Sequence, residues 1–92
     1  MDIGKFVMSQ HAIQRALDMG IDGDAIRNCL LRPEDVRPQY SYQGRDCYDW
    51  GVITCVVDRP SNTVVTVLWR TPELWEQDIS KAGEYAGRKL RR

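Results

Sequence analysis

The stretch from Gly51 to Arg70, GVITCVVDRPSNTVVTVLWR, constrains the fold more than any other part of the chain. Two runs of β-branched and apolar residues, Val52 to Val57 and Thr63 to Trp69, flank the turn-forming residues Asp58 to Asn62. This pattern predicts an antiparallel hairpin with a loop of about five residues. Both faces of the hairpin are largely apolar, so we expect both to be at least partly covered.

If the loop closes symmetrically about Pro60, the alternation of side chains fixes the faces of the hairpin. The predicted pairing puts Thr54 opposite Thr66 on one face. The other face then carries Ile53, Cys55 and Val57 together with Thr63, Val65 and Val67. The register around the preceding turn, Asp49 to Gly51, stays open, because a shift of one residue exchanges the faces of the strand before it.

Length and charge limit the classes of function. The chain has 92 residues, which predicts one domain over 1–92, with a basic tail, 87–92, that need not be ordered. Thirteen basic residues balance thirteen acidic ones, so no overall field draws the chain to nucleic acid or to an anionic membrane. Binding of that kind needs a local patch.

Cysteine and histidine usage argues against a metal centre. Cys29, Cys47 and Cys55 lack the short spacing of a redox or zinc motif, and His11 is the only histidine. We therefore expect three buried thiols in a reducing cytoplasm and no cofactor. The sequence contains no apolar run long enough for a signal peptide or a membrane span, which also favours a cytoplasmic protein.

Two short helices are predicted before Pro33. Ser9 and Asp22 are good N-caps, and Gly20 supplies a left-handed stop between the helices. In the first helix, the expected buried stripe is Ala12, Ile13, Ala16 and Leu17, with His11, Arg15 and Asp18 on the opposite side. In the second helix, the expected buried stripe is Ala25, Ile26, Cys29 and Leu30.

From Val36 the apolar residues recur with a period of two, which is typical of β-strands. Val36 to Tyr42 and Arg45 to Tyr48 are predicted strands joined at Gln43-Gly44, and Pro38 places the first of them at a sheet edge. Before the helices, the arm from Ile3 to Met8 can add an edge strand or remain loose.

A third helix is predicted from Pro72 to about Ala82, where Thr71-Pro72-Glu73 is a typical helix start. We expect Trp75, Ile79 and Ala82 to pack across the second face of the sheet or against a second copy. The predicted fold is therefore α+β, with two N-terminal helices on a four-stranded antiparallel sheet and one C-terminal helix.

The stretches SQHAIQRALDMGIDGDAIRNCLLRPEDV, YQGRDCYDWGVITCVVD and NTVVTVLWR resemble an uncharacterised family of short bacterial and phage domains. That family is grouped with the RelE-like and BrnT-like toxin fold, and the resemblance covers roughly Val7 to Arg70. The matching positions are His11, Ala12, Arg15, Gly20, Ile21, Pro33, Gly44, Arg45, Tyr48 and Thr66.

The resemblance implies a metal-independent endoribonuclease, in which the ribose 2′-hydroxyl attacks the adjacent phosphate. His11 would transfer a proton, Arg15 and Arg45 would hold phosphate oxygens, and Tyr48 would stack on a base or donate a proton. His11, Arg15 and Arg45 would line a cleft at the open face of the sheet. RNA or the ribosome would be the substrate partner, and an antitoxin the protein partner.

A different class of function fits the same residues. Fold membership does not carry the activity of a toxin. The alternative is a non-catalytic bacterial or phage protein that binds a host protein or self-associates through its exposed strand and aromatic residues. The neutral net charge favours this alternative, whereas the set of His11, Arg15, Arg45 and Tyr48 favours RNA cleavage.

Overall fold

The computed structural model describes residues 2–39 and 42–71, which form two helices and five strands. The α+β class predicted from the sequence is therefore confirmed. The predicted third helix and the tail 87–92 lie outside the described residues. In chain order the elements are β1 (Val7–Met8), α1 (Gln10–Met19), α2 (Gly23–Leu31), β2 (Asp35–Pro38), β3 (Arg45–Trp50), β4 (Ile53–Asp58) and β5 (Thr63–Trp69).

The strands form one mixed sheet in the order β1-β5-β4-β3-β2. Four of its strands make the expected antiparallel meander, but the sheet has a fifth strand because β1 pairs in parallel with the start of β5. The expectation of a four-stranded, purely antiparallel sheet was therefore wrong. The edge-strand alternative for the N-terminal arm is the one the structure shows.

A bulge in β5 changes the register of the central hairpin. Val57 pairs with Val64, but the preceding residue, Val56, pairs with Thr66. Val65 is thus an extra residue on β5, opposite no residue of its own on β4. The symmetric pairing predicted from the sequence was wrong because the loop closes with Asp58 opposite Thr63, which shifts the register by one residue, and the bulge shifts it by one more.

Beyond the bulge the two shifts add up to two residues, so the predicted faces are kept there although the direct partners change. Thr54 lies opposite Leu68 instead of Thr66. One face of the sheet, here called the helix face, packs against both helices and carries Tyr48, Trp50, Ile53, Cys55, Val57, Val64, Val67 and Trp69. The opposite face, here called the second face, includes Arg45, Cys47, Asp49, Thr54 and Val56.

Both helices begin and end where the sequence predicts. The Ser9 hydroxyl accepts a hydrogen bond from the Ala12 amide at 3.0 Å, and the Asp22 carboxylate accepts one from the Ala25 amide at 2.9 Å. Gly20 ends α1 with φ of 72°, the left-handed conformation that glycine adopts without steric cost. These local capping signals are sufficient to fix the helix boundaries.

Helix α1 is rotated relative to the prediction. Its buried residues are Ala12, Ala16 and Met19, whereas Ile13 and Leu17 are 45% and 66% exposed. The prediction that Ile13 and Leu17 are buried was therefore wrong. Small alanine side chains let α1 approach β5 closely, and hydrogen bonds from the helix to the β5 backbone hold this rotation.

The core lies between the helix face and the two helices. Helix α2 contributes Ile26, Cys29 and Leu30, as predicted, and packs on β3 and β4, while α1 packs on β5. The N-terminal arm completes this core with Ile3 and Phe6, both less than 10% exposed.

Candidate functional site

His11 is the second residue of α1 and its side chain is exposed. It lines a shallow surface hollow together with three neighbours on the same helix, Gln10, Ile13 and Gln14. Because Ser9 starts the helix just before it, His11 is held by a well-capped first turn. Solvent and ligands therefore have direct access to the imidazole.

Arg15 lies one helical turn after His11 but has a different environment. Its side chain is half-buried, and Nε donates a hydrogen bond to the carbonyl oxygen of Val67 at 3.3 Å. Strand β1 covers only the first two residues of β5, so this carbonyl lies on the part of the β5 edge that β1 leaves free. Arg15 thus binds α1 to the sheet edge, which is a structural role.

Arg45 and Tyr48 are three residues apart on β3 and therefore point to opposite faces of the sheet. The Tyr48 ring is on the helix face and makes an edge contact with Phe6, with the ring centroids 5.6 Å apart. Arg45 is on the second face, and its guanidinium carbon lies 3.8 Å from the centroid of the Tyr42 ring. This is the distance of a cation–π contact.

The structure therefore divides the four residues implied by the family resemblance. His11 and Arg15 are neighbours on α1, above β5, whereas Tyr48 is two strands away in the core and Arg45 is on the other side of the sheet. His11, Arg15 and Arg45 do not line one cleft at the open sheet face in this arrangement.

Three other arginines of the described region are paired with carboxylates. Arg37 pairs with Asp49 at 3.0 Å, Arg59 with Asp46 at 3.5 Å, and Arg70 with Glu34 at 2.5 Å. Each of these pairs joins different strands or loops at the sheet. Paired guanidinium groups of this kind contribute little attraction for a polyanion, because a carboxylate already neutralises each charge.

The Arg37–Asp49 pair is the centre of a polar cluster on the second face. The Asp49 carboxylate is only 3% exposed and also accepts a hydrogen bond from the Thr54 hydroxyl at 2.5 Å. The hydrogen bond to Asp49 raises the pKa of Arg37, so this guanidinium stays charged. The sequence did not predict this cluster, because Asp49 was expected in the turn after the strand and not within β3.

The three cysteines are all free thiols and all buried. Cys29 and Cys55 belong to the core of the helix face, whereas Cys47 lies on the second face, where burial raises the pKa of its thiol. Within residues 2–39 and 42–71, no group of three or more histidine, cysteine or acidic side chains is arranged to hold a metal ion.

The outer side of α1 carries exposed apolar side chains that the sequence pattern did not predict. Ile13 and Leu17 are exposed one turn apart on the same side of the helix, and Gln14 between them donates to the Asp18 carboxylate at 2.9 Å. We call the set Gln10, Ile13, Gln14 and Leu17 the outer face of α1. The burial of Ala12, Ala16 and Met19 turns Ile13 and Leu17 outward, and no local sequence signal marks this rotation.

The described helices are all too short or too polar to cross a membrane. No protein-family model, curated protein or solved structure matches this chain.

Proposed function

We propose that this domain is a non-catalytic protein-binding module whose contact surface is the outer face of α1. The observation that carries the proposal is the exposure of Ile13 and Leu17, 45% and 66%, on a helix whose other side is packed on the sheet. Apolar residues spaced by four along a helix are the anchors with which helices enter apolar grooves of partner proteins. The polar neighbours Gln10 and Gln14 would form the rim of such a contact.

The partner that fits this surface is a protein with an apolar groove, such as a host protein, an antitoxin or a second copy of the chain. The free thiols favour action in a reducing cytoplasm. Binding is favoured over catalysis because Tyr48 packs in the core, Arg15 is bound to backbone and Arg45 lies on the opposite face.

Site-specific photo-crosslinking in cells tests this proposal. A photoreactive residue at position 17 should capture a defined protein, whereas the same residue at Asp24, an exposed position on α2, should not. Ile13→Ser, combined with the probe at position 17, should reduce the yield of the crosslinked product at least tenfold. The melting temperature should change little, since the side chains at both positions are exposed. Equal capture from positions 17 and 24 would count against the outer face of α1.

Metal-independent RNA cleavage is the second candidate, and the exposed His11 in its hollow favours it. On this reading, His11→Ala should slow cleavage by roughly a hundredfold or more, because it removes the proton-transfer group. Cleavage should continue in the presence of a chelator.

Purified protein should be assayed on single-stranded RNA, structured RNA and translating ribosomes. Arg45→Ala is the control variant, because Arg45 lies on the opposite face of the sheet from His11 and should leave cleavage at a His11 site unchanged. Arg15→Ala also removes the hydrogen bond to Val67, so its folding must be checked by circular dichroism. Absence of cleavage on all three substrates by a folded protein would exclude this candidate for those substrates and leave protein binding as the better account.

A further inference from the structure

Two of the three buried thiols meet in the core. Cys29 on α2 donates a hydrogen bond from Sγ to the carbonyl oxygen of Tyr48 at 3.0 Å. Tyr48 is the cross-strand partner of Cys55, and Cys55 points to the same face of the sheet. The Cys29 thiol therefore lies directly over the Tyr48–Cys55 pair. Both cysteines are 0% exposed.

The environments of the two sulfurs differ. A hydrogen bond from Cys55 lowers the pKa of Cys29, whereas the hydrogen bond to Cys29 and burial raise the pKa of Cys55. Cys29 is therefore the sulfur that ionises first, and the thiolate is the nucleophilic form of cysteine. Its ionisation requires the hydrogen bond to the Tyr48 carbonyl to break.

We propose that Cys29 and Cys55 form a redox-sensitive dithiol that a peroxide closes to a disulfide, linking α2 to β4. In the first step, the Cys29 thiolate attacks one oxygen of hydrogen peroxide, the O–O bond breaks, and a sulfenic acid and hydroxide form. In the second step, the Cys55 sulfur attacks the sulfenic sulfur, the S–O bond breaks, and the hydroxyl leaves as water with the Cys55 proton. The hydroxide takes up the proton that Cys29 released on ionising, so two thiols lose two electrons and one peroxide is reduced to two waters.

Access to the buried pair requires local opening of α2. This helix has only nine residues and Cys29 is on its buried side, so opening of the helix exposes the thiol. Short peripheral elements open at lower free energy than a whole domain unfolds. Hydrogen peroxide is a small oxidant, so it needs a smaller opening of α2 than a larger oxidant such as a peptide disulfide would need.

Closing the bond should fix α2 on the sheet. The linkage joins two residues that are far apart in sequence, so it restricts the unfolded chain more than a short loop would. The oxidised protein should therefore melt at a higher temperature than the reduced protein, by roughly 5 °C or more.

Mass spectrometry of the full chain after hydrogen peroxide treatment under native conditions tests the proposal. The expected product has lost two hydrogen atoms, regains them with dithiothreitol, and yields a Cys29–Cys55 peptide after cleavage with trypsin and chymotrypsin. Cleavage after Trp50 is needed because trypsin alone leaves Cys47 and Cys55 on one peptide.

Cys47→Ser is the matched control and should behave like the wild type, because Cys47 lies on the second face. Cys29→Ala and Cys55→Ala should lose both the mass change and the rise in melting temperature. The wild-type peptide map decides the question even if a core variant fails to fold. A bond that includes Cys47, sulfinic acid at Cys29 without a disulfide, or bond formation in denaturant only would each overturn the proposal.

Discussion

At the scale of single residues, Asp49 shows how a charge is accommodated in a small sheet. The carboxylate receives hydrogen bonds from Arg37 on β2 and from Thr54 on β4, so it connects three neighbouring strands across the second face. A buried carboxylate is stable only when such partners replace the water it has lost. Arg37 is different, because its side chain is 43% exposed and keeps contact with solvent.

Asp49→Ala should lower the free energy of unfolding by about 2 kcal/mol, because the buried Thr54 hydroxyl and one side of Arg37 lose their acceptor. Urea denaturation followed by circular dichroism measures this change. The control is Asp35→Ala, which removes an exposed carboxylate from β2 at the position paired with Asp49 and should cost less than about 0.5 kcal/mol. Similar losses in both variants would mean that the cluster is not stabilising.

At the scale of elements, Ser9 joins α1 to the bulged strand. Its hydroxyl accepts from the Ala12 amide at 3.0 Å and donates to the Val65 carbonyl at 3.3 Å, while its own amide donates to Val64 at 3.0 Å. One residue thus caps the helix and satisfies the backbone of the bulge. This links the helix position to the register of β5.

Ser9→Ala should cost about 2 kcal/mol, which is more than the roughly 1 kcal/mol expected for loss of an ordinary cap, because the Val65 carbonyl also loses its donor. Ser9→Thr keeps the hydroxyl and should restore most of the loss. Asp22→Ala removes the cap of α2 alone and gives the reference value. The urea midpoints of the three variants can be compared when the dependence of the unfolding free energy on urea concentration is the same for each. Equal losses of unfolding free energy in Ser9→Ala and Asp22→Ala would contradict the dual role of Ser9.

The same elements show which features the sequence could predict. The caps at Ser9, Gly20 and Asp22 were predictable because their signals act over a few residues of chain. The bulge at Val65 was not, since the run VVTV contains no glycine or other marker and the bulge is held by a hydrogen bond to distant Ser9.

For the candidate site, the sequence correctly indicated an exposed His11. It placed Ile13 and Leu17 in the core, because their hydrophobicity is greater than that of Ala12 and Ala16. What decides the rotation of α1 is close packing and the hydrogen bond from Arg15 to Val67, which are tertiary interactions. The division of Arg45 and Tyr48 between two faces follows from their odd spacing, and the predicted strand from Arg45 to Tyr48 already implied it.

At the scale of the whole molecule, the N-terminal arm connects parts of the sheet that are not neighbours. Val7 and Met8 pair with β5 at one end of the strand order, while the Phe6 ring contacts Tyr48 on β3. Phe6 is 7% exposed and belongs to the same core as both helices. The arm is therefore part of the fold that holds the core together.

Phe6→Ala should destabilise the domain by about 3 kcal/mol or more, since it removes a buried aromatic ring from the centre of the core. The adjacent variant Val7→Ala is the control, because Val7 is 58% exposed and should change stability by less than about 1 kcal/mol. Thermal and urea unfolding of both variants measure the difference. A Phe6→Ala protein as stable as Val7→Ala would show that the arm is peripheral.

The two edges of the sheet determine whether an extended segment of another chain can pair with this domain as an added strand. At the β5 end, β1, Ser9 and Arg15 already occupy backbone groups that an incoming strand would need. At the β2 end, the amide of Gln39 bonds inward to Arg45, so the neighbouring Pro38 presents its donor-free nitrogen outward. Within residues 2–39 and 42–71, neither end of the sheet offers a continuous row of donors for fibril growth, which should keep this part of the chain resistant to amyloid formation at high expression levels.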